Sequence, residues 1–416
     1  MNQQKPVAHN RDETPKRPVL YFDNAATTPL HPKALAAMMP YLTKDYGNPS
    51  GIYSLARIAR KGIEQARENV AEAISALPGE IVFTAGGTEA NNWALNGVFE
   101  AAKHKAGKAS AAGSSVTNGH IITTAIEHHA VTHVLEALAK QKGAEVEYLP
   151  VNSEGFVSPE SLKAAVRPDT ILISVMWANN EIGTIQPISK LAAIAKEAGV
   201  IFHTDAVQAV GHVPVNMQNT PVDLLTISAH KFGGPKGVGA LYIRKGTNLF
   251  PFLYGGAQEK NRRAGTENVA GIVGMGEAIK LAEAEREAEY KRLSEMRDNL
   301  IKRIEDTIPY VKINGPRGEN RLPGNINFSF DYIEGESLLL LLDMNGCCAS
   351  SGSACSSASL EPSHVLMALG VPHEQAHGSI RFSLGRDSSY GDIDGLMTIL
   401  PKLVKQLRAM SPLAEE

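Results

Sequence analysis

The sequence predicts a mixed α/β fold with a large, mainly parallel sheet and a smaller α+β unit, for three reasons. Short β-branched apolar runs alternate with amphipathic segments over most of the chain, and this alternation is typical of βαβ units whose sheet is covered on both faces. A long, strongly charged segment then precedes a region with further strand patterns. Finally, 416 residues exceed the usual size of one domain, so two or three domains are expected.

Each predicted element follows from the spacing of its apolar residues. Seven runs predict the strands of the large sheet, namely Ile81–Thr84, His120–Thr124, Glu145–Leu149, 170–175, 200–203, 222–227 and 238–243. Segments 55–74, 130–140 and Ile188–Ala198 repeat apolar residues at i, i+3, i+4 and i+7, which predicts helices. A charged helix at Val269–Thr307 precedes two strands of the smaller unit, near Asn325–Phe330 and at 379–384.

These elements divide the chain into three expected parts. Residues 1–19 are polar and are expected to form a flexible N-terminal lead. Residues 30–299, including the linking helix, form the large α/β domain, and residues 20–29 together with 300–416 form the small α+β domain. The stretch 101–119 is rich in Ala, Ser, Gly and Lys, and we expect a solvated surface insertion between a helix and a strand there.

The composition excludes several classes of function. Lys and Arg number 41 against 44 Asp and Glu, for a net charge of −3, which gives no electrostatic basis for binding nucleic acid or an anionic membrane. The longest apolar runs, such as 338–342, fall far short of the ~18 residues of a membrane span, and residues 1–19 lack the apolar core of a secretory signal. Three cysteines cannot form a disulfide framework, so we expect a cytoplasmic protein whose special cysteine is reactive.

Lys231 is the first candidate for chemistry. It lies in the run from Ser228 to Gly237, directly after the buried strand predicted at 222–227 and beside Gly233 and Gly234. Ligands of α/β sheets bind at the carboxyl ends of strands, where a partly desolvated lysine becomes an amine nucleophile suited to a Schiff base. A surface turn with solvated lysines is the alternative for this segment when it is taken alone.

Two further features favour a ligand at the same sheet edge. Asp205 follows the strand predicted at 200–203, and a glycine-rich turn around Gly87 connects the strand Ile81–Thr84 to a helix. Backbone N–H groups at such a helix start can bind phosphate. Pyridoxal phosphate needs this set, because a lysine holds its aldehyde and a carboxylate keeps its ring nitrogen protonated as an electron sink.

These segments resemble the cysteine desulfurases of the NifS/IscS type, which belong to the fold-type I pyridoxal phosphate enzymes. The resemblance runs from the Tyr-Phe-Asp-Asn-Ala-Ala-Thr-Thr run at 21–28 to the Ser-Ile-Arg-Phe-Ser-Leu-Gly-Arg run at 379–386, nearly the whole chain. Its most specific part is 351–362, Ser-Gly-Ser-Ala-Cys-Ser-Ser-Ala-Ser-Leu-Glu-Pro, which is similar to the active-site cysteine loop of that family. The fold implied is a PLP-transferase with a large domain that binds the cofactor and a small domain that carries the cysteine loop.

The resemblance, carried over residue by residue, implies roles around the cofactor ring. Lys231 would hold the aldehyde, Asp205 would pair with the pyridine nitrogen, and Gln208 would bond the ring hydroxyl. His128 would stack on the ring and move protons, and Asn180 would contact both cofactor and substrate. These five residues would therefore surround the reacting atoms.

The resemblance also implies how the phosphate and the substrate are bound. The phosphate would be held by four residues of one subunit, namely Gly87, Thr88, Ser228 and His230. Thr266 would reach the phosphate from the second subunit of a homodimer. Arg381 would clamp the carboxylate of the substrate, a role that suits a planar guanidinium.

The implied activity is conversion of L-cysteine to L-alanine, with the sulfur left as a persulfide on Cys355. That cysteine lies among Ser, Gly and Ala, small residues that pack little and suit a nucleophile that must visit the substrate and then a partner. The partner implied is a sulfur acceptor, either an iron–sulfur scaffold or a tRNA-thiolation relay. A longer tail that docks a scaffold in some relatives is not found after residue 407, which leaves the acceptor open.

The other cysteines and the histidine cluster have simpler interpretations. Cys347 and Cys348 follow a leucine-rich stretch and are expected to be packing or strand-end residues. A metal site that combines them with Cys355 lacks a fourth ligand. His129 and His133 are four residues apart, but the Glu of an HExxH motif is missing, so no metal is expected.

Two rival functions stay open from the sequence. Another fold-type I activity, an aminotransferase or a selenocysteine lyase, would use the same cofactor residues, although a transaminase has no use for Cys355. A catalytically idle interaction partner would retain the fold but bind no chromophore. The visible absorbance of the purified protein separates this last possibility from the enzymes.

Overall fold

A computed structural model describes residues 19–110, 119–351 and 361–411. The strands in this part of the chain are β1 (Leu20–Tyr21), β2 (Ile81–Thr84), β3 (His120–Thr124), β4 (Glu145–Leu149), β5 (Thr170–Ser174), β6 (Ile201–Asp205), β7 (Leu224–Ser228), β8 (Gly239–Ile243), β9 (Val311–Ile313), β10 (Asn325–Phe330), β11 (Cys347–Cys348) and β12 (Ser379–Ser383). The helices are α1 (Pro32–Thr43), α2 (Ser54–Ala73), α3 (Gly87–Ser110), α4 (His129–Lys142), α5 (Pro159–Ala165), α6 (Ile188–Ala198), α7 (Gln258–Asn261), α8 (Val269–Thr307), α9 (Gly335–Met344), α10 (His364–Ala368), α11 (His373–His377) and α12 (Tyr390–Met410).

Seven strands form one sheet in the order β2-β8-β7-β6-β5-β3-β4. Strand β8 runs antiparallel to both of its neighbours, and all other neighbouring strands are parallel. The carboxyl ends of β2, β7, β6, β5 and β3 therefore lie along one edge of the sheet, where α/β proteins bind their ligands. A three-stranded antiparallel sheet, β12-β10-β9, and a short parallel pair, β1-β11, complete the described strands.

The predicted α/β class with a mainly parallel sheet is confirmed. Strands β2, β3 and β4 have the predicted bounds, as do helices α6 and α8. Strand β6 continues two residues past the predicted end, because Thr204 and Asp205 still pair with β7 although the apolar run has stopped. Hydrophobic periodicity thus located the elements, whereas backbone pairing determines where they end.

The expectation of a separate surface insertion at 101–119 is wrong for its first half. Helix α3 continues through Ser110, and the side chain of Ala101 is buried against the sheet. Alanine and lysine favour helix, so this low-complexity composition extends α3 instead of ending it. Residues 111–118 lie outside the described residues, as do 1–18, 352–360 and 412–416.

The large sheet has an apolar cluster on each face. Ile122, Ile173 and Leu225 belong to one cluster, while the residues that precede them, including Leu172 and Leu224, belong to the other. Successive strand residues point to opposite faces, so burial on both sides explains why these strands read as continuous apolar runs.

A third apolar cluster surrounds the three-stranded sheet and includes Phe328 and Phe382. Helix α8 contributes to two clusters, with Met275 in the core of the large sheet and Leu300 in that of the small one. The division of the chain at residues 30 and 300 stays a prediction. No helix in the described parts of the chain is long and apolar enough to cross a membrane.

Candidate active site

A cavity of about 590 Å³ lies at the carboxyl edge of the large sheet, within the size range of small-molecule sites. Ten of the residues singled out in the sequence line it, namely Gly87, Thr88, His128, Asn180, Asp205, Gln208, Ser228, His230, Lys231 and Arg381. Thr266 is exposed and does not line the cavity. Cys355 lies outside the described residues. The strand ends therefore bring together residues that span most of the sequence.

Lys231 is held in the wall of this cavity by backbone carbonyl groups. It ends the short 3-10 turn that follows β7, and its Nζ donates hydrogen bonds of 2.7 Å to the carbonyl oxygens of Ala25 and Ala26. Gln208 reaches the same segment, because its Nε2 donates to Ala25 O at 2.9 Å. The backbone carbonyl groups of Ala25 and Ala26 thus position the side chains of Lys231 and Gln208, which both line the cavity.

Asp205 is buried at the end of β6, and both of its oxygens accept hydrogen bonds. Asn91 Nδ2 donates to Oδ2 at 2.6 Å, and the backbone N–H of Val207 donates to Oδ1 at 3.0 Å. These bonds fix the orientation of the buried carboxylate. Asn91 was missed in the sequence, although it lies one helical turn after Gly87 in α3 and therefore on the same side of the helix.

His128 caps the N-terminus of α4. Its Nδ1 accepts a hydrogen bond of 3.0 Å from the backbone N–H of Ala130, so the proton of the neutral ring lies on Nε2. Burial lowers the pKa of His128, and the nearby charge of Lys231 adds to this effect, while Asp205 opposes it. The ring is therefore a neutral imidazole whose Nε2–H can donate a hydrogen bond or a proton into the cavity.

The turn between β2 and α3 has the geometry of a phosphate site. Gly87 starts α3, and a Cβ added to it would lie 2.9 Å from Val207 Cγ2, so only glycine allows this close approach. Burial, helped by Lys231 and Lys236, lowers the pKa of His230 to about 4. The uncharged His230 ring then hydrogen-bonds with Thr27 Oγ1 at 3.1 Å and leaves the positive charge of the site to the two lysines.

Arg381 connects the small sheet to the cavity. It is buried in β12, where its Nη2 pairs with Asp23 Oδ1 at 2.9 Å and its Nη1 donates to the carbonyl of Asn180 at 3.0 Å. Asn325 Nδ2 donates to the same carbonyl at 3.2 Å. The guanidinium is thus held rigidly at the cavity wall, where a substrate carboxylate would compete with Asp23 for it.

Two buried glutamates that line the cavity were also not identified from the sequence. Glu127 Oε1 accepts hydrogen bonds from Thr124 Oγ1 at 2.7 Å and from the N–H of Met176 at 2.8 Å, and burial raises its pKa to about 8. Burial also raises the pKa of Glu181, whose Oε2 accepts a 2.5 Å bond from Ser363 Oγ. The only signal in the sequence was that these acids directly adjoin His128 and Asn180.

The prediction that Cys347 and Cys348 are strand-end or packing residues is confirmed. They form β11, which pairs with β1, and Cys347 is fully buried, which raises the pKa of its thiol to about 12. Such a thiol is not a nucleophile at neutral pH. The His129 and His133 rings stack with centroids 4.6 Å apart, and no group of acidic, histidine or cysteine side chains in the described ranges is arranged to hold a metal ion.

The cavity provides what pyridoxal phosphate requires. It offers an amine, a fixed carboxylate, a neutral imidazole and a tight glycine turn at a helix start, all lining one cavity. The donor set therefore fits the aldehyde, the ring nitrogen and the phosphate of that cofactor. A substrate carboxylate would in addition find the guanidinium of Arg381 in the same cavity.

Comparison with known proteins agrees with this interpretation. The chain belongs to the aminotransferase class-V family, whose model matches residues 20–396. It is 56% identical to a cysteine desulfurase IscS of Dictyoglomus turgidum over 400 residues, which covers 95% of this chain and 97% of the relative. It is 53% identical to a cysteine desulfurase IscS of Methanosarcina thermophila, again over 95% of this chain and 94% of the relative.

Solved structures agree with this grouping. A NifS-like protein superimposes with a TM-score of 0.85 at 36% identity and covers 94% of this chain and 100% of its own. A NifS-like protein from Rickettsia africae gives a TM-score of 0.81 at 29% identity, over 93% and 99% of the two chains. The predicted fold-type I architecture, the pyridoxal phosphate cofactor and the cysteine desulfurase class are confirmed by these relatives.

Proposed function

We propose that this cysteine desulfurase removes sulfur from L-cysteine, releases L-alanine and carries the sulfur as a persulfide on Cys355. The observation that supports this is the convergence of Lys231, Asp205, His128 and Arg381 on one cavity. The described residues on either side of the cysteine segment are tied to the same wall. Ser350 exchanges backbone hydrogen bonds with Arg381, and Ser363 donates to Glu181.

The cofactor would be held by the residues of the sheet edge. Lys231 would hold the aldehyde, Asp205 the ring nitrogen and Gln208 the ring hydroxyl, with His128 stacked on the ring. The phosphate would be bound by Gly87, Thr88, Ser228 and His230, and by Thr266 of a second subunit. When bound, pyridoxal phosphate supplies an electron sink that stabilises the negative charge developing on the substrate carbon.

The protein side chains bind the substrate and move its protons. Arg381 and Asn180 would fix the carboxylate of L-cysteine. The amine of Lys231 would take the proton from its α-carbon, and the Nε2–H of His128 would donate a proton within the same site. The Cys355 thiolate then attacks the sulfur of the substrate. A sulfur–sulfur bond forms as the carbon–sulfur bond breaks, and the carbon keeps the electron pair and is protonated to give alanine.

A homodimer is part of this proposal. Leu35, Met39 and Leu42 lie on one face of α1, and all three are exposed, as is Ile52, which retains 93% of its accessible surface. An apolar patch of this kind marks a protein interface, and we assign it to a second copy of this chain. Thr266 is exposed and outside its own cavity, which supports its predicted role in the site of the other subunit.

We also propose a cytoplasmic location and an acceptor protein for the sulfur. The two cysteines among the described residues are free thiols, as expected in a reducing compartment. The acceptor would be an iron–sulfur scaffold or a tRNA-thiolation relay, and the relatives named IscS favour the former. A persulfide needs a thiol acceptor, so the acceptor site must include a cysteine.

The experiment that tests the activity compares Cys355→Ser with Cys347→Ser and Cys348→Ser. Each protein is given L-cysteine and dithiothreitol without any α-keto acid, and alanine is measured. Mass spectrometry without reductant then locates an adduct of about 32 Da, one sulfur atom. We expect Cys355→Ser to stay yellow, bind L-cysteine and make no alanine, because a serine hydroxyl is not ionised and cannot hold a persulfide.

The two control variants should keep most of their activity, with losses that follow only their stability. Normal alanine formation by Cys355→Ser, or an adduct on Cys347 or Cys348, would contradict the proposal. Alanine formation that requires an α-keto acid would instead indicate an aminotransferase.

A further inference from the structure

The outer edge of strand β2 is covered by an ion pair rather than by another strand. Strand β2 pairs with β8 on one side, and it ends the seven-stranded sheet. On its other side, Arg67 Nη1 donates to Ile81 O at 2.8 Å, and the N–H of Phe83 donates to Glu259 Oε2 at 2.9 Å. An edge strand needs such partners for its free backbone groups, and here a guanidinium and a carboxylate supply them.

This pair is buried and bidentate. Arg67 Nη1 and Nη2 each lie 2.8 Å from an oxygen of Glu259, and the two side chains expose only 4% and 3% of their surface. The guanidinium also lies 4.9 Å from the centre of the Phe83 ring. A buried pair with two parallel bonds has one favoured geometry, so it fixes Glu259 relative to β2.

A second ion pair, between Glu89 and Arg263, accepts a backbone hydrogen bond in the same way. The donor is Ala85, two residues after Phe83. The N–H of Ala85 donates to Glu89 Oε2 at 2.7 Å, and Arg263 forms two bonds of 2.8 and 2.9 Å with the same carboxylate. The segment from Glu259 to Arg263 is therefore joined to backbone N–H groups on both sides of Thr84. These groups lead directly into the turn that contains Gly87 and Thr88.

The backbone at Glu259 is strained. Glu259, Lys260 and Asn261 have φ angles of +45°, +57° and +62°, which are in the left-handed region that non-glycine residues rarely adopt. Consecutive residues persist there only where the surroundings impose the conformation, and such strain concentrates at functional sites. Glu259, the first of these three residues, is the one held by the two buried bonds from Arg67.

We propose that Arg67 and Glu259 are positioning residues for the phosphate-binding turn of their own chain. The inference rests on the proposed role of that turn in binding the cofactor phosphate. Strand β2 ends three residues before Gly87, and a Cβ on Gly87 would lie only 2.9 Å from Val207 Cγ2. A small shift of β2 would therefore displace the N–H groups of a tightly packed turn that would face the phosphate. Such shifts have large effects where binding depends on placement.

The test measures the contribution of the phosphate group to cofactor affinity separately from that of the rest of the cofactor. Apoenzyme is titrated with pyridoxal phosphate and, separately, with pyridoxal, which has the aldehyde but no phosphate. For Glu259→Gln we expect the Kd for pyridoxal phosphate to rise about tenfold or more, the effect of one charge-assisted hydrogen bond. The Kd for pyridoxal should change less than about twofold, because the sites of Lys231 and Asp205 are untouched.

A second variant shows whether the loss of affinity results only from misfolding around an unpaired buried charge. In the double variant Arg67→Met, Glu259→Leu both charges are removed, a change that folded proteins often tolerate. It should keep the melting temperature of the apoenzyme and still lose the phosphate-dependent affinity. Glu145→Gln is the control. Glu145 lies on β4, the opposite edge strand of the same sheet, and pairs with Arg167, so the substitution should change neither Kd.

Thr88→Val distinguishes failure of this inference from failure of the proposed function. If Thr88→Val loses the phosphate-dependent affinity while Glu259→Gln and the double variant keep that affinity, Arg67 and Glu259 do not position the turn. The turn itself would still be the phosphate site. If Thr88→Val has no effect on either Kd, the phosphate does not bind at this turn, and the phosphate site proposed above is overturned together with this inference. An equal rise of both Kd values in Glu259→Gln and the double variant would show a general structural role and would also overturn the inference.

Discussion

The two sheets contribute to the cavity in different ways. The large sheet presents side chains at the ends of buried strands, such as Asp205 at the end of β6 and Lys231 just after β7. The small sheet presents Arg381 from the middle of β12, where it pairs with Asp23 of the adjoining segment and donates across to the Asn180 carbonyl of the large-sheet region. The strand ends of the large sheet are thus placed by a buried core, whereas Arg381 is held by side-chain bonds, one of which reaches the other region.

This difference predicts a separation of functions that can be measured. Changes at the ends of the large strands should alter how the cofactor is held and therefore the visible spectrum. Changes on the small sheet should leave that spectrum intact and alter only the handling of L-cysteine. Each prediction below tests one side of this comparison, beginning with the largest expected effect.

Lys231→Ala should abolish turnover together with the absorbance of the covalently held cofactor. The Lys231 amine is held by two carbonyl groups in the cavity wall, where it can form the covalent bond to the aldehyde. Absorbance spectra and alanine formation measure the effect, and Lys236→Ala, which removes the other lysine lining the cavity, should keep the chromophore. An active, covalently coloured Lys231→Ala protein would refute the assignment.

Asp205→Asn should lower kcat on the order of a thousandfold or more, because a neutral amide cannot keep the ring nitrogen protonated. The variant should still bind pyridoxal phosphate with a shifted spectrum. Asp223→Asn is a suitable control, since Asp223 accepts a bond from Phe202 N–H at the amino end of the same strands and lies away from the cavity wall. Near-normal kinetics of Asp205→Asn would mean that another group supports the electron sink.

Arg381→Lys should raise the KM for L-cysteine about 10- to 100-fold without changing the spectrum of the resting enzyme. A lysine keeps the charge but loses the planar fork that binds a carboxylate through two bonds. Steady-state kinetics give KM, and an absorbance scan gives the state of the cofactor. Loss of the chromophore in this variant would break the separation between the two halves of the site.

Glu127→Gln should change the pH dependence of stability more than the activity at neutral pH. Burial raises the pKa of Glu127 to about 8, so the folded protein keeps a proton that the unfolded chain releases above its ordinary pKa near 4.5. The wild type therefore loses stability from this group as the pH rises from about 5 to 8, and glutamine does not.

The melting temperature of the apoenzyme, measured at pH 5 and pH 8, checks this expectation. The melting temperature of Glu127→Gln minus that of the wild type should rise by roughly a few degrees from pH 5 to pH 8. Exposed Glu160, whose pKa is lowered by the Ser158 hydroxyl, gives the control Glu160→Gln, which should show no such rise. A difference that stays constant with pH would contradict a protonated Glu127.

The sequence allowed the fold class and most of the strands to be predicted, because burial on both faces leaves runs such as Ile81–Thr84 with no polar interruption. It also allowed the principal candidate residues to be chosen, since Lys231 and Asp205 break the apolar pattern at strand ends. It could not indicate Asn91 or Glu127, because their importance depends on partners that folding brings close. Arg67 and Glu259 are the clearest case, as they are 192 residues apart in the chain.

Helix α8 has a consequence for how the whole molecule unfolds. Its 39 residues run without interruption from Val269 to Thr307, about 58 Å at 1.5 Å per residue. Met275 near one end is embedded in the apolar cluster of the large sheet, and Leu300 near the other end in that of the small sheet. Loss of either apolar cluster would expose apolar side chains of α8, while the other cluster still packs against the same helix. The two regions are therefore expected to melt cooperatively as one thermodynamic unit, although their sheets are separate.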